Sequence, residues 1–382
     1  ISGDSRTLYG TNTNATVNQI LKVESGTYSG FTNYGTGISS GNITKQWVTF
    51  GCDYDRANNG DNSKLNITGT MYVSNGDNVN ASSGQEVCRV YSKSGKFVSG
   101  QNVGTATADQ SYYFGFSNRE ADEGHKYLEI QGGEWCNIAG GMGTSNNKND
   151  PCTTVRMKGG LVRGCIYGAA QYAGAAGTRL LVFTGGTIKG WIAGGANGTQ
   201  SDGGLLTGAS YVYVGGNTQV NSNGSTTLIN RGVAGNVFGA GCGWTATSDA
   251  GKVSEGTNVV VADNAYVERG VYGGGSFGYC ATDKTSYIYV TGGHVEGKAG
   301  GVNTGNNSAS YTTDVKGGVY GGASKNKGGT VNLYMTGGLV EGGVFGGSNA
   351  SGTLSGNVTM QINGGQVGTE KTPASIHGGG YG

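Results

Sequence analysis

The residues best suited to acid–base chemistry lie in one charged segment, Arg119–Lys126. Glycosidases need two carboxyl groups about 5–9 Å apart, and this segment offers Glu120, Asp122 and Glu123, with His125 beside them. If the protein is an enzyme, we expect these four side chains to form its catalytic set. A charged loop is the simpler interpretation. We expect no other pocket of converging acidic or basic side chains in the chain.

A second acidic segment, residues 53–61, contains the oxygen ligands that calcium prefers, in Asp53, Asp55 and Asp61. It departs from the helix–loop–helix calcium pattern, because Ala57 replaces a ligand and no glutamate closes the loop. A solvated turn is therefore the simpler interpretation. Calcium at this segment is the only cofactor that the sequence suggests.

Three aromatic residues lie close to two cysteines. Trp244 follows Cys242 by two residues, and Phe277 and Tyr279 come just before Cys280. A disulfide between the two cysteines would bring the three rings to one flank, where flat aromatic faces can stack on sugar rings. These rings are our candidate ligand platform, with packing inside the loops as the alternative.

The chain has seven cysteines and three histidines, with no Cys-x-x-Cys pair. We therefore expect no zinc site. Cys136 and Cys152 form a second candidate bridge, and the odd number leaves at least one thiol unpaired. Disulfides would be consistent with a location outside the cytosol.

The elements that position these residues are indicated by the glycine content. Of 382 residues, 79 are glycine and only 2 are proline. Collagen is excluded, because it needs abundant proline and glycine at every third position, and helices are disfavoured. With 35% hydrophobic residues and 22 tyrosines, the chain is not a flexible linker. It is an ordered chain with many tight turns.

One phrase recurs from about residue 127: an alternating apolar strand, Gly-Gly, a short strand, and Gly-Gly again, as in Tyr287–Gly297 and Val331–Gly342. Its second half contains an apolar or aromatic residue followed by glycine. Copies of that residue are Tyr167, Ala193, Phe238, Tyr272, Tyr320, Phe345 and His377. Lys298–Gly300 is a degenerate copy between Tyr272 and Tyr320.

Alternation with period two predicts β-strands. Aligned copies predict that each strand pairs in parallel with its counterpart one repeat away, with valine and isoleucine inside and glycine at the corners. The fold class is therefore all-β, a right-handed parallel β-helix with coils of about 20–27 residues and loop insertions. We expect Tyr272, Tyr320 and Phe345 to be stacked structural residues.

Residues 1–126 repeat less clearly and 127–382 are regular. We expect irregular coils in the first part, with a cap in or beside it, and one continuous solenoid overall.

The phrase Gly-Gly-x-Val-x-Gly-x-Val-[Tyr/Phe]-Gly-Gly resembles the glycine-rich repeats of large bacterial cell-surface β-helix proteins that are described as adhesin-like. The resemblance covers residues 127–382. It implies an exported protein at the cell surface or outside the cell, and it provides no shared catalytic motif.

The charges nearly cancel, with 25 Lys and Arg against 24 Asp and Glu, so no basic surface for nucleic acid is expected. No apolar run approaches the roughly 20 residues of a membrane span. The first hypothesis is a non-enzymatic adhesive or stalk module. Its partners would be a surface glycan, another surface protein or further copies of itself. The alternatives are a carbohydrate-active β-helix enzyme, either a polysaccharide lyase or a glycosidase, and a subunit of a surface filament or phage fibre.

Overall fold

In the computed structural model, the part of the chain before residue 125 is described only as individual β-strands. From there on the described residues are 125–132, 134–135, 137–140, 153–169, 174–198, 203–222, 228–229, 232–243, 249–298, 302–303, 311–312, 317–350 and 352–381. None of these residues lies in an α-helix. Accordingly, the described part of the chain contains no helix long and apolar enough to cross a membrane.

The N-terminal strands are β1 (Arg6–Tyr9), β2 (Gln19–Val23), β3 (Gly26–Asn33), β4 (Gln46–Phe50), β5 (Leu65–Ile67), β6 (Met71–Val73), β7 (Glu86–Ser92) and β8 (Tyr113–Gly115). The next strands are β9 (His125–Ile130), β10 (Glu134–Trp135), β11 (Asn137–Ala139), β12 (Thr153–Met157), β13 (Leu161–Val162), β14 (Ile166–Tyr167), β15 (Arg179–Phe183), β16 (Thr187–Ile188), β17 (Ile192–Ala193), β18 (Ser210–Val214), β19 (Gln219–Val220), β20 (Leu228–Ile229), β21 (Gly232–Val233) and β22 (Val237–Phe238). The remaining strands are β23 (Thr257–Val261), β24 (Tyr266–Val267), β25 (Gly270–Tyr272), β26 (Thr285–Val295), β27 (Val302–Asn303), β28 (Tyr311–Thr312), β29 (Gly318–Tyr320), β30 (Thr330–Val340), β31 (Val344–Phe345), β32 (Val358–Val367) and β33 (Ile376–His377).

The strands form two large sheets of 13 and 16 strands, in which the pairs are parallel. They make three faces. The first face contains β2, β4, β7, β9, β12, β15, β18, β23 and the first halves of β26, β30 and β32; the second contains β10, β13, β16, β19, β24 and the second halves of those three long strands. The third contains β1, β3, β6, β8, β11, β14, β17, β22, β25, β29, β31 and β33. The chain is therefore an all-β protein of parallel strands, a β-solenoid.

The two parts of the chain on either side of residue 126 contribute to the same faces. In the third face β8 pairs with β11, and in the first face β7 pairs with β9. Both pairings are parallel. Strand pairing therefore runs across residue 126 without interruption in the described backbone.

The repeat register predicted from the sequence is confirmed in the third face. Each copy of the marker residue pairs with the next, in the order Tyr167, Ala193, Phe238, Tyr272, Tyr320, Phe345 and His377. The expected degenerate copy at Lys298–Gly300 is wrong as a level of this ladder, because Tyr272 pairs directly with Tyr320. The intervening chain contains an antiparallel hairpin of β27 and β28 instead.

The core follows the alternation of the strands. Val155, Leu181, Val212, Val259 and Ile288 occupy the same position in successive strands of the first face, and each is at most 1% exposed. Valine and isoleucine from the second and third faces complete the same cluster. Because identical positions stack, one apolar column continues along the solenoid.

A second column of buried residues lies along the third face and is largely aromatic. Tyr272 and Tyr320 stack with ring centroids 5.1 Å apart and planes within 7°, and Tyr320 and Phe345 with centroids 4.7 Å apart. Trp191 is fully buried in the same cluster and meets Phe238 edge-on. The expectation that Tyr272, Tyr320 and Phe345 are structural stack members is confirmed.

A glycine follows each marker residue of the third face, and the levels of the ladder, called rungs below, approach closely there. A Cβ at Gly273 would lie 2.2 Å from the carbonyl oxygen of Gly321 on the next rung. Equivalent contacts of 2.2 to 2.6 Å occur at Gly140, Gly168, Gly194, Gly239, Gly321 and Gly346. Glycine is required at this position because no side chain fits between the rungs.

Candidate functional site

An open depression of about 510 Å³ lies outside the corner between the first and second faces. It is lined by Asp263–Ala265, Gly292–His294 and Gly338–Leu339, which come from three successive rungs. The hollow exists because the corner of β26 and of β30 is a glycine pair with no side chain. Gly293 and Gly338 have φ angles of +75° and +82°, which glycine adopts most readily.

Asp263 forms the acidic end of the depression. Its Oδ2 atom accepts hydrogen bonds from the Gly216 amide and from the Tyr213 hydroxyl, both at 2.8 Å. The amide bond, and then the hydroxyl bond, lower the pKa of Asp263. The residue has a φ of +53°, a conformation that aspartate and asparagine tolerate better than most residues. This carboxylate is therefore fixed in place and ionised.

His294 lines the depression and belongs to a polar cluster beside it. Its Nε2 atom lies 2.7 Å from Glu341 Oε1, and its ring meets Tyr266 edge-on with centroids 5.5 Å apart. Glu341 also accepts a hydrogen bond from the Thr372 hydroxyl at 2.6 Å. The Thr372 bond and then the His294 contact lower the pKa of Glu341, so Glu341 remains a carboxylate.

Tyr266 completes the cluster by donating its hydroxyl to Glu296. Burial, followed by this hydrogen bond to a carboxylate, raises the pKa of the Tyr266 phenol. The hydroxyl therefore stays protonated as a donor. Glu296 and Glu341 occupy equivalent positions on adjacent rungs, each immediately after a paired valine, so their side chains project from the same face.

Tyrosines line the outside of the first face next to the depression. Tyr289 and Tyr334 stack with centroids 5.2 Å apart, and Tyr287 is parallel to Tyr289 within 4°. These contacts cover part of the ring faces. Tyr211 is more exposed, at 42%. This surface supplies hydroxyl groups and aromatic rings that partly cover one another.

The arrangement combines fixed carboxylates, an imidazole and phenolic hydroxyls around a shallow hollow. Such groups can bind the hydroxyl or amino groups of a ligand. A glycosidase also needs a general acid whose pKa is raised so that it holds a proton. The pKa values of Asp263 and Glu341 are shifted in the opposite direction. These two carboxylates are therefore suited to accepting hydrogen bonds and not to donating a proton.

Two of the aromatic residues predicted to form a ligand platform are buried. Phe277 and Tyr279 are each 1% exposed. The Tyr279 hydroxyl donates to Asp249, and the Lys327 ammonium lies 4.9 Å from the centre of the Tyr279 ring. A sugar cannot stack on rings that are covered in this way, so these two residues are corrected to packing residues. Trp244 lies outside the described residues.

The expected bridge between Cys242 and Cys280 is also corrected, since both side chains are buried thiols in the structure. They belong to different ladders: Cys242 pairs with Asn197, and Cys280 with Val253. Burial raises the pKa of the Cys280 thiol, which keeps it protonated and unreactive. Cys136 and Cys152 lie outside the described residues.

The other predicted site residues have no described side chains. Asp53, Asp55 and Asp61 lie outside the described residues, as do Glu120, Asp122 and Glu123. His125 begins β9, where its backbone pairs with Glu86. Among the described residues, no group of three or more His, Cys, Asp or Glu side chains could hold a metal ion.

Asp263 and His294 line the corner depression, and Glu341 contacts His294 beside it. The signal was present in the repeat itself, because aligning Tyr287–Gly297 with Val331–Gly342 places Glu296 opposite Glu341. Comparisons with models of protein families, with curated proteins and with solved structures found no match to this chain.

Proposed function

We propose that this protein is a non-enzymatic extracellular module of the bacterial cell surface, an adhesive stalk that binds a surface glycan at the corner depression. The observation that carries the proposal is the depression itself, where Asp263 and His294 from different rungs line one open hollow. Sugars are recognised by hydrogen bonds to hydroxyl groups, and fixed carboxylates and imidazoles provide them.

The finer architecture that we propose is a right-handed parallel β-helix with coils of about 20–27 residues lengthened by loop insertions. The crossover connection between two parallel strands of one sheet is right-handed in about 98% of cases. The spacing between paired residues supports the coil length, since Val155 pairs with Leu181 and Val319 with Val344, 26 and 25 residues apart. Longer spacings coincide with insertions such as the hairpin of β27 and β28.

A role outside the cell is supported by the surface chemistry. Only 13% of residues are charged, and the net charge is +1, so the solenoid offers no field for polyanions. Stacked rungs with a continuous core are stiff along their length. A stiff element of this kind can hold a binding site at a distance from a surface, as a stalk does.

The runner-up is a carbohydrate-active enzyme, and the adjacent carboxylates Glu296 and Glu341 are the observation in its favour. Both side chains, however, already bond within the protein, to Tyr266 and to His294. The hydrogen bond from Thr372 and then the contact with His294 lower the pKa of Glu341 and hold it as an anion. These contacts suit a fixed binding surface better than a residue that exchanges protons during a reaction.

The test is binding of the purified chain to a panel of immobilised polysaccharides. Asp263→Asn removes one charge and preserves the backbone conformation, because asparagine also tolerates positive φ. We expect it to weaken glycan binding about 10-fold, in line with loss of a charge-assisted hydrogen bond. The matched control Asp283→Asn changes an exposed aspartate away from the depression and should bind as the parent does.

Cleavage of the same polysaccharides is measured in parallel by release of new chain ends. Turnover abolished by Glu341→Gln or by Glu123→Ala would refute the non-enzymatic assignment. Absence of binding to every glycan, or equal loss in Asp263→Asn and Asp283→Asn, would refute the depression as the binding site.

A further inference from the structure

A row of six residues, five of them charged, runs along the outer side of the second face, one residue per rung. Each amide in the row donates to the carbonyl of the buried residue on the previous rung, with N–O distances of 2.8 to 2.9 Å from Lys189 to Glu341. Each member directly follows a buried valine or isoleucine and so lies on the opposite side of its strand from the core, although Glu268 is itself covered. In order along the solenoid the row is Arg163, Lys189, Asn221, Glu268, Glu296 and Glu341.

The charges in this row are separated by sign. The first two rungs are basic, the third is neutral and the last three are acidic. Glu268 is 1% exposed and its carboxylate lies 3.3 Å from the Lys298 ammonium. The outward ends of the row are therefore Arg163 and Lys189 on one side and Glu296 and Glu341 on the other, about 24 Å from end to end at the usual strand spacing.

A companion row lies on the same face. Over the same six rungs it consists of Leu161, Thr187, Gln219, Tyr266, His294 and Leu339. The strand pairing continues it to Glu134 at one end and to Gln366 at the other. Both rows are partly exposed, apart from Glu268.

We propose that two copies of this chain associate face to face and antiparallel through these two rows. The two-fold axis would lie between the faces and cross the solenoid at right angles, midway between Asn221 and Glu268. That operation keeps each row opposite itself and reverses the order of rungs. Arg163 then faces Glu341 of the other copy, and Lys189 faces Glu296.

The charge complementarity is joined by one apolar contact. The same axis places Leu161 against Leu339 of the second copy. A parallel arrangement would instead set lysine against lysine and glutamate against glutamate, which is unfavourable. The net charge of +1 gives little overall repulsion between copies.

The strip is narrow, so the association is weak and sensitive to salt. Specific interfaces of standard size bury about 1,600 Å², and two rows over six rungs cover much less. Exposed ion pairs are screened within about 10 Å at 0.1 M salt. We expect dimers at high protein concentration and low ionic strength, and monomers when salt is added.

The first test is sedimentation equilibrium at low salt with reversed charges. Lys189→Glu and Glu296→Lys should each weaken dimerisation at least 10-fold, because each places like charges opposite one another twice per dimer. The double variant, Lys189→Glu with Glu296→Lys, should regain the parent's association. Lys284→Glu, on the first face side of the solenoid, is the matched control and should not change it.

The second test fixes the orientation. A Lys189→Cys variant mixed with a Glu296→Cys variant should form an interchain disulfide under mild oxidation, and neither variant alone should do so. A monomeric parent at low salt, no rescue in the double variant, or crosslinking of Lys189→Cys with itself would each overturn the proposal. Glycan binding is measured on dilute monomer, so failure of this proposal and failure of the proposed function are distinguishable.

Discussion

Substitution of one glycine in the close-packed column tests the stacked architecture directly. In Gly273→Ala the new Cβ would lie 2.2 Å from the Gly321 carbonyl oxygen, 2.8 Å from Ile288 Cδ1 and 3.0 Å from Ser286 Cβ. Real Cβ atoms stay at least 3.0 Å from their neighbours, so the two rungs must separate by about 0.8 Å. The carbonyl is held between Tyr320 and Gly322, whose own carbonyls accept hydrogen bonds from the Gly273 and Gly274 amides, so it cannot move without disturbing that ladder.

The magnitude follows from what that separation disturbs. Overpacking a tight site costs about 1–3 kcal/mol. The Gly273 amide donates to Tyr320 and the Gly274 amide to Gly322, both at 3.0 Å across this gap, and weakening both bonds adds about 1 kcal/mol each. We therefore expect Gly273→Ala to lower the free energy of unfolding by about 3–5 kcal/mol.

The repeat supplies its own control. Gly378 holds the same position in the repeat, and a Cβ there would meet nothing within 4 Å. Gly378→Ala should therefore change the free energy of unfolding by less than about 1 kcal/mol. Urea titration followed by far-ultraviolet circular dichroism compares the two variants. Equal midpoints for Gly273→Ala and Gly378→Ala would show that the rungs do not approach as described.

Three further outcomes are expected. Burial raises the pKa of Tyr320 above its ordinary value of about 10. The stability that its neutral form provides is therefore complete below about pH 10 and is lost as the pH rises further. Tyr320→Phe should raise the pH at which the protein unfolds in alkali, measured by circular dichroism. Trp191→Ala should cost about 3–5 kcal/mol in urea titration, whereas Tyr211→Ala, at an exposed position, should change stability by less than about 0.5 kcal/mol. Cys242 and Cys280 should react with a thiol reagent only after denaturation, as followed by mass spectrometry of their peptides; labelling of neither residue in the unfolded, unreduced chain would indicate a disulfide after all.

Much of the fold could be predicted from the spacing of similar residues along the sequence. The marker residues of the third face pair in the order that their sequence copies predict, because a parallel stack places equal repeat positions on top of one another. The prediction that Lys298–Gly300 forms a rung was wrong for the same reason. Three residues with a similar pattern form a rung only if the chain on either side of them also returns to the other two faces. The antiparallel hairpin of β27 and β28 shows that the chain leaves the stack there.

Less of the candidate site could be predicted from the sequence. Tyr279 resembles a surface aromatic because it lies among glycine and serine, but Asp249 and Lys327, which are distant in sequence, cover it. His294 and Glu341 are 47 residues apart. They meet because an insertion separates them in sequence and adds no rung, so only an alignment of repeat copies could have placed them together.

The length of the connection between two rungs does not affect the register of their strands, which has a consequence for how such a chain can change during evolution. Tyr272 and Tyr320 stack at 5.1 Å across a connection of 48 residues, and Tyr320 and Phe345 at 4.7 Å across one of 25. Gains and losses of whole loops therefore leave the stack intact. Loss of a single residue within Thr285–Val290 would instead turn its buried side chains to the outside. During evolution the loops can therefore change freely in length and sequence, while the lengths of the strands stay nearly constant.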